Sequence, residues 1–305
     1  YKESHFSYPI YIGTTDEFDP SLFFAKKYSS TVVICDSALI QLPPVERVLD
    51  SLQQYSSTHD CKCILFPISS GKHTKNLETV SELADFFLEK RIQRDTVLIA
   101  IGGGVVGDLV GFLASTYFRG VDLCHIPSNL LAMCDSSIGG KTAINTPHHV
   151  NTLGTYKHPI FTFIGLDLLS SLSTRDFSAG ISEVIKVLLL NNNGQLSQLL
   201  LDHHQLSTLS SITRLQSLLK ISIESKLYYT DGDITEKHKR LYLNFGHTFG
   251  HPIESLQDLS YEEYFRHGEA VALGMVCACS LSDRLYGTSN FCLLYTSPSP
   301  RDATL

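Results

Sequence analysis

No apolar run in the 305 residues approaches the ~20 consecutive positions that a membrane-spanning helix requires, so no membrane partner is expected. A basic excess is missing too. With 24 Lys and Arg against 31 Asp and Glu the formal charge is −7, which argues against nucleic acid or an anionic lipid surface, since both need a basic footprint. A local basic pocket for one phosphorylated metabolite remains open. The eight cysteines contain no C-x-x-C, and the C-x-C pairs Cys61/Cys63 and Cys277/Cys279 are too tightly spaced for the usual zinc knuckles. Buried, reduced thiols in a cytoplasmic protein are the expectation. No secretory signal opens the chain; because it starts at Tyr1, an organelle leader upstream stays open. At the far end, "TSPSPRDATL" is polar, proline-punctuated and without apolar period, so residues 292–305 are expected to form a disordered or non-native tail.

What is present is ordinary globular composition, 43% hydrophobic and 18% charged, over a length that allows one large or two ordinary domains. "YPIYIG", "TVVICD", "CKCILFPI", "DTVLIAIGG", "VDLCHIP" and "FTFIGLD" read as strands, rich in Val and Ile and bounded by turn residues. Between them lie helical patterns such as "NLETVSELADFFLEKRI". Strands alternating with helices imply a largely parallel α/β sheet. After about Asp167 the strands stop, and "DFSAGISEVIKVLLL", "QLSQLLLDHHQL", "SSITRLQSLLKISIESKLYY" and "HGEAVALGMVCACSLSDRLY" all read as helices. We therefore expect an α/β domain over 1–166 and an all-α domain over 167–291, with ligands bound in a cleft at their junction.

"IGGGVVGDLVG" satisfies G-x-G-x-x-G at Gly102, Gly104 and Gly107, between a strand and a helix. That arrangement aims backbone N–H groups and the helix dipole at a phosphate. It follows a late strand, however, whereas the usual dinucleotide fingerprint sits in the first βα turn, so a structural turn stays open. In "NFGHTFGHPIE", His247 and His251 are four apart, on one helix face. "FRHGEAVALGM" adds His267, and "AGISEVIK" adds Glu183 and Lys186. Imidazoles and a carboxylate leaving an open position are the catalytic zinc pattern; hydrogen-bonded core or surface histidines are the alternative. Glycines flank all three histidines, at Gly246, Gly250 and Gly268, which lets backbone or ligand approach closely. Lys141, Lys186 and Lys226, with Arg119, Arg240 and Asn151, would suit a phosphate and several hydroxyls.

Taken in order, "GGGVVGDLVGFLASTYFRG", "DSSIGGKTAIN", "AGISEVIK", "LNFGHTFGHPIE" and "HGEAVALGM" resemble the signatures of the 3-dehydroquinate synthase family, one of the sugar-phosphate cyclases. The resemblance covers roughly residues 30 to 285. It implies an N-terminal NAD-binding α/β domain, a helical metal-binding domain and a homodimer. It further implies Zn2+ or Co2+ on Glu183, His247 and His267. Catalytic roles would fall to His251, Lys186, Asn244 and Asp135, and substrate contacts to Arg119, Lys141, Asn151, Lys226 and Arg240. NAD would lie along Asp36, Lys75, Gly103, Gly104, Val105, Asp108, Ser128 and Asn129. The implied reaction turns 3-deoxy-D-arabino-heptulosonate 7-phosphate into 3-dehydroquinate and phosphate, in the shikimate pathway of aromatic amino acid biosynthesis. It runs through transient oxidation by NAD, β-elimination, re-reduction and an intramolecular aldol closure.

This chain departs from the family pattern at Lys72, at Asn129 and at Val150, where a lysine is usual. Losing that charge-assisted contact would weaken binding by roughly 1.5–3 kcal/mol if nothing compensates. The alternatives are a sibling cyclase acting on sedoheptulose 7-phosphate or glucose 6-phosphate (2-epi-5-epi-valiolone or 2-deoxy-scyllo-inosose synthase type), a metal-dependent alcohol dehydrogenase, and an inactive binding homologue. Asn244 and His251 favour the dehydroquinate type.

Overall fold

The computed structural model describes residues 7–24, 26–69, 71–191, 212–258 and 264–287. The expected tail and the helix expected over "QLSQLLLDHHQL" lie outside them. All six expected strands form: β1 (Ile10–Gly13), β2 (Ser30–Asp36), β3 (Lys62–Ile68), β4 (Thr96–Gly102), β5 (Asp122–Pro127) and, after a hairpin, β8 (Phe161–Gly165). They make one sheet in the order β1-β8-β5-β4-β2-β3, every pairing parallel. β2, β4 and β8 are buried at every residue, the reason their sequences read as unbroken apolar runs instead of alternating ones. Val32, Ile34, Leu98 and Ala100 pack with Leu83 and Phe87 of α3 (Leu77–Glu89) and Leu109 and Leu113 of α4 (Gly104–Thr116). Burying each of the large side chains stabilises the fold by about 1.5–3 kcal/mol. Val45, Val48 and Leu52 of α2 (Pro43–His59) are likewise buried.

The strand order sets up a binding crevice. From β2 the chain moves outward to β3, but from β4 it moves the opposite way, to β5. Ligands in open α/β sheets bind beyond the carboxyl ends of strands where the direction reverses. Here those ends are Asp36 and Gly102, on adjacent strands with Cys35 beside Ile101. The glycine turn is late in sequence yet stands at the switch point.

The hairpin β6 (Lys141–Ile144) and β7 (Leu153–Tyr156) is antiparallel and separate from the main sheet. Its strands carry no continuous apolar run and are largely exposed in β7, so no strand pattern is legible there in the sequence.

The second unit is helical. Its elements are α5 (Thr174–Leu190), the last turns of α6 (Ile212–Thr230), α7 (His247–Asp258) and α8 (His267–Tyr286), which ends at Gly287 in the left-handed region. The chain divides at Leu172/Ser173, not at the expected 166/167. The Asp167 carboxylate explains the shift. It accepts hydrogen bonds from the Thr15 backbone N–H at 2.9 Å and the Thr15 hydroxyl at 2.5 Å, and pairs with Arg47 at 2.6 Å. A second correction is that Ile212–Ile223, expected in the helical domain, belongs to the first unit. Gln216 there donates to the Ile12 carbonyl at 3.2 Å.

Candidate active site

In the helical unit, five of the expected site residues meet. Glu183 and Lys186 lie one turn apart on α5, both 2% exposed, with the ammonium against Glu183 Oε2. His247 is the first residue of α7 and His267 the first of α8. Their Nε2 atoms stand 3.9 and 3.8 Å from Glu183 Oε1, and all three donor atoms lie within 4.8 Å of one another. His251, one turn along α7, sets its ring edge-on to that of His247, with centroids 5.1 Å apart.

A zinc ion with bonds of about 2.0–2.2 Å holds tetrahedral ligands roughly 3.4 Å apart. The Glu183–histidine separations of 3.9 and 3.8 Å are close to that spacing, and the three donor atoms would draw together from within 4.8 Å. Glu183 Oε1 is buried and has no hydrogen-bond partner among the described residues, an arrangement that costs stability unless a cation completes it. Burial, reinforced by the Lys186 ammonium, lowers the His247 imidazole to about 4. Burial also lowers His251, outweighing the Glu254 and Glu183 carboxylates. Both rings are therefore neutral at physiological pH, with a nitrogen lone pair available. The residues fit a divalent cation with imidazole and carboxylate ligands.

The glycines beside the histidines serve helix packing. A Cβ on Gly268 would fall 1.8 Å from the Ala179 carbonyl oxygen of α5, and one on Gly274 would fall 1.9 Å from the Gly246 carbonyl oxygen. A Cβ on Gly250 would meet the Ala270 carbonyl oxygen at 3.1 Å. Of the two readings, backbone and not ligand makes the approach. Arg175 of α5 clamps the start of α8 through both oxygens of Glu269, at 2.7 and 2.8 Å.

Lys226 and Arg240 are also buried, at 5% and 3% exposure. Val187, Tyr229 and Leu243, their neighbours on three elements, form one apolar cluster. Arg240 donates to the Ile234 carbonyl at 3.0 Å, and its backbone N–H caps Asp233 at 2.9 Å. Asn244 donates to Glu236 at 2.8 Å. Neither Glu236 nor Glu254, which meets His267, was anticipated. For Glu254 a signal existed, since it follows His247 and His251 at helical spacing in "HTFGHPIE".

In the α/β unit a second group converges. Lys75, 7% exposed, bonds through its ammonium to Asp108 of α4 and to the Asn151 side chain, each at 2.5 Å. Asn151 has φ 55°, and its N–H is held by the Asn145 side chain at 2.9 Å. At the switch point, Gly103 caps α4, followed by Gly104 and Val105 in its first turn. A Cβ on Gly103 would meet the Asn129 amide nitrogen at 2.5 Å, and Ser128 donates to the Gly102 carbonyl at 2.9 Å. The Asp36 carboxylate accepts from the Ala38 N–H at 3.0 Å. Asp135 lies in a π-turn over Ala132–Ser136, a rare geometry frequent at functional sites. Arg119 and Lys141 are exposed on separate elements. Arg119 follows Phe118 in the left-handed region, φ 64° after 47°.

Residues 65–179 match the family described as 3-dehydroquinate synthase N-terminal, and residues 180–291 match its C-terminal counterpart. A 3-dehydroquinate synthase of Acidithiobacillus ferrooxidans is 39% identical over 280 residues, covering 92% of this chain and 74% of that one. The chain belongs to the 3-dehydroquinate synthase family. Among solved structures it is similar to 2-epi-5-epi-valiolone synthase of Streptomyces hygroscopicus, solved with NAD+ and Zn2+ (TM-score 0.80, 27% identity, 93% of this chain and 76% of that one). It is also similar to a 2-deoxy-scyllo-inosose synthase complexed with carbaglucose-6-phosphate, NAD+ and Co2+ (TM-score 0.75, 25% identity, 94% and 77%).

Proposed function

We propose that the chain converts 3-deoxy-D-arabino-heptulosonate 7-phosphate to 3-dehydroquinate and inorganic phosphate, using NAD and a divalent cation, Zn2+ or Co2+, as a homodimer. One observation carries this reading: in a member of this family, Glu183, His247 and His267 present three donor atoms within 4.8 Å beside the buried ammonium of Lys186. When bound, the nicotinamide supplies reversible hydride exchange and the cation polarises adjacent substrate oxygens.

The chain's own residues do the rest. Glu183, His247 and His267 hold the cation. Asp36, Gly103, Gly104, Val105, Asp108, Ser128 and Asn129 line the nucleotide crevice, where the first amides of α4 favour the pyrophosphate. Lys75 joins Asp108 to Asn151, tying the nucleotide side to a substrate-binding residue. Lys186, Lys226 and Arg240 are buried cations that neutralise the leaving phosphate and the enolate charge, which is worth more in a shielded site than in water. Neutral His251 takes up and returns a proton at an imidazole nitrogen, while Asn244 and Asp135 orient substrate hydroxyls. Lys141 is assigned to the substrate, and Arg119 to the substrate phosphate of the neighbouring subunit. The left-handed Phe118 and Arg119, at about 1–3 kcal/mol each, are strain of the kind that persists where a side chain must be presented.

The test supplies NAD, divalent metal and each of three sugar phosphates in separate reactions. Phosphate release from the seven-carbon ulosonic acid alone is expected. Release only from sedoheptulose 7-phosphate or glucose 6-phosphate would assign the chain to a sibling activity, and net NADH formation would indicate a dehydrogenase.

A further inference from the structure

Glu254 Oε2 lies 2.9 Å from Nδ1 of His267, on a face of α7 that also carries His247 and His251. An ionised carboxylate can only accept. With Glu254 ionised, Nδ1 of His267 carries the proton, which leaves the lone pair on Nε2, the nitrogen 3.8 Å from Glu183 Oε1. Among the described residues His247 has no carboxylate at Nδ1, which faces the neutral Phe245 carbonyl at 3.3 Å. Of the two imidazoles, His267 is also the more exposed, 32% against 14%, so its ring has more freedom to turn away. A free neutral imidazole can place its proton on either nitrogen. On Nε2 that proton would occupy the position where a ligand atom is needed.

We propose that Glu254 is a positioning residue that locks the ring and tautomer of His267 for metal binding. This inference rests on the metal-site reading above. Glu254 acts through His267 and does not itself touch the cation. Carboxylates backing a ligating histidine typically contribute 10–100-fold in metal affinity.

The test is a zinc titration against a chromophoric chelator in wild type, Glu254→Ala, Glu254→Gln and His267→Ala, with thermal melts of the metal-free proteins alongside. Glu254→Ala is expected to weaken zinc by about 10–100-fold with an unchanged metal-free melt. Glu254→Gln, whose amide oxygen still accepts from Nδ1, stays within a few-fold of wild type. Wild-type affinity in Glu254→Ala overturns the inference, and so do equal losses in both variants. Wild-type affinity in His267→Ala instead removes the metal assignment itself, which separates the two failures. Should Glu254→Ala fail to fold, histidine nitrogen NMR of zinc-loaded wild type decides: Nδ1 of His267 protonated supports the role, and Nδ1 bound to zinc overturns it.

Discussion

Two buried histidines with similarly depressed imidazoles answer to different demands. His247 is lowered to about 4 by burial and by Lys186, and it faces Glu183. His125, on β5, is lowered to about 4 by burial alone. In unfolded chain an imidazole takes its proton near 6.5, whereas folded His125 does so only near 4. The folded state thus holds fewer protons within that window, and stability falls as pH drops through it. The loss from this residue is about 3 kcal/mol. Urea melts of wild type and His125→Gln at neutral pH and near pH 4.5 should show a shallower loss in the variant; equal slopes would refute the assignment. For the triad, His267→Ala should remain folded while losing bound metal and phosphate release together. An active, metal-replete variant would contradict the ligand set. The individual donors are legible from residue type and local pattern; Glu254 shares the helical spacing of His247 and His251, but its meeting with His267 is not legible, because that histidine stands on another helix.

At the scale of elements, β2, β4 and β8 are legible because burial at every residue leaves continuous apolar runs between turn residues, while the less buried β1 and β3 are read from their β-branched and aromatic content. The β6–β7 hairpin has no such signature, with Lys141 exposed at its start and Leu153 41% exposed. The first unit runs on through Leu172, and Asp167, a polar residue following the last strand, is pinned to it by Thr15 and Arg47 far away in sequence. The glycines beside the histidines are legible as points of close approach, but which groups approach is not. They form the seam where α8 meets α5 and α7, so Gly274→Ala should destabilise the protein by about 3 kcal/mol and weaken metal binding as α8 moves off α7. By contrast, Gly232→Ala faces open space at φ 70° and should cost only about 1 kcal/mol, from backbone conformation. Urea melts compare the two directly, and equal costs would refute the seam.

Taken as a whole, an acidic chain of net charge −7 keeps Lys75, Lys186, Lys226 and Arg240 out of solvent. Buried cations are expensive without partners; Lys75 has Asp108 and Asn151, Lys186 has Glu183, and Arg240 has the Ile234 carbonyl. A cyclase that returns its hydride within each turnover should release one phosphate per substrate with no lasting absorbance from NADH. Steady NADH accumulation would contradict that economy of cofactor. The convergence of Glu183, His247 and His267 on one cation is tested by anomalous diffraction from cobalt-loaded crystals. A single strong peak is expected within about 2.3 Å of Glu183 Oε1, His247 Nε2 and His267 Nε2. A peak elsewhere, or stoichiometric cobalt with none at these three atoms, would contradict it.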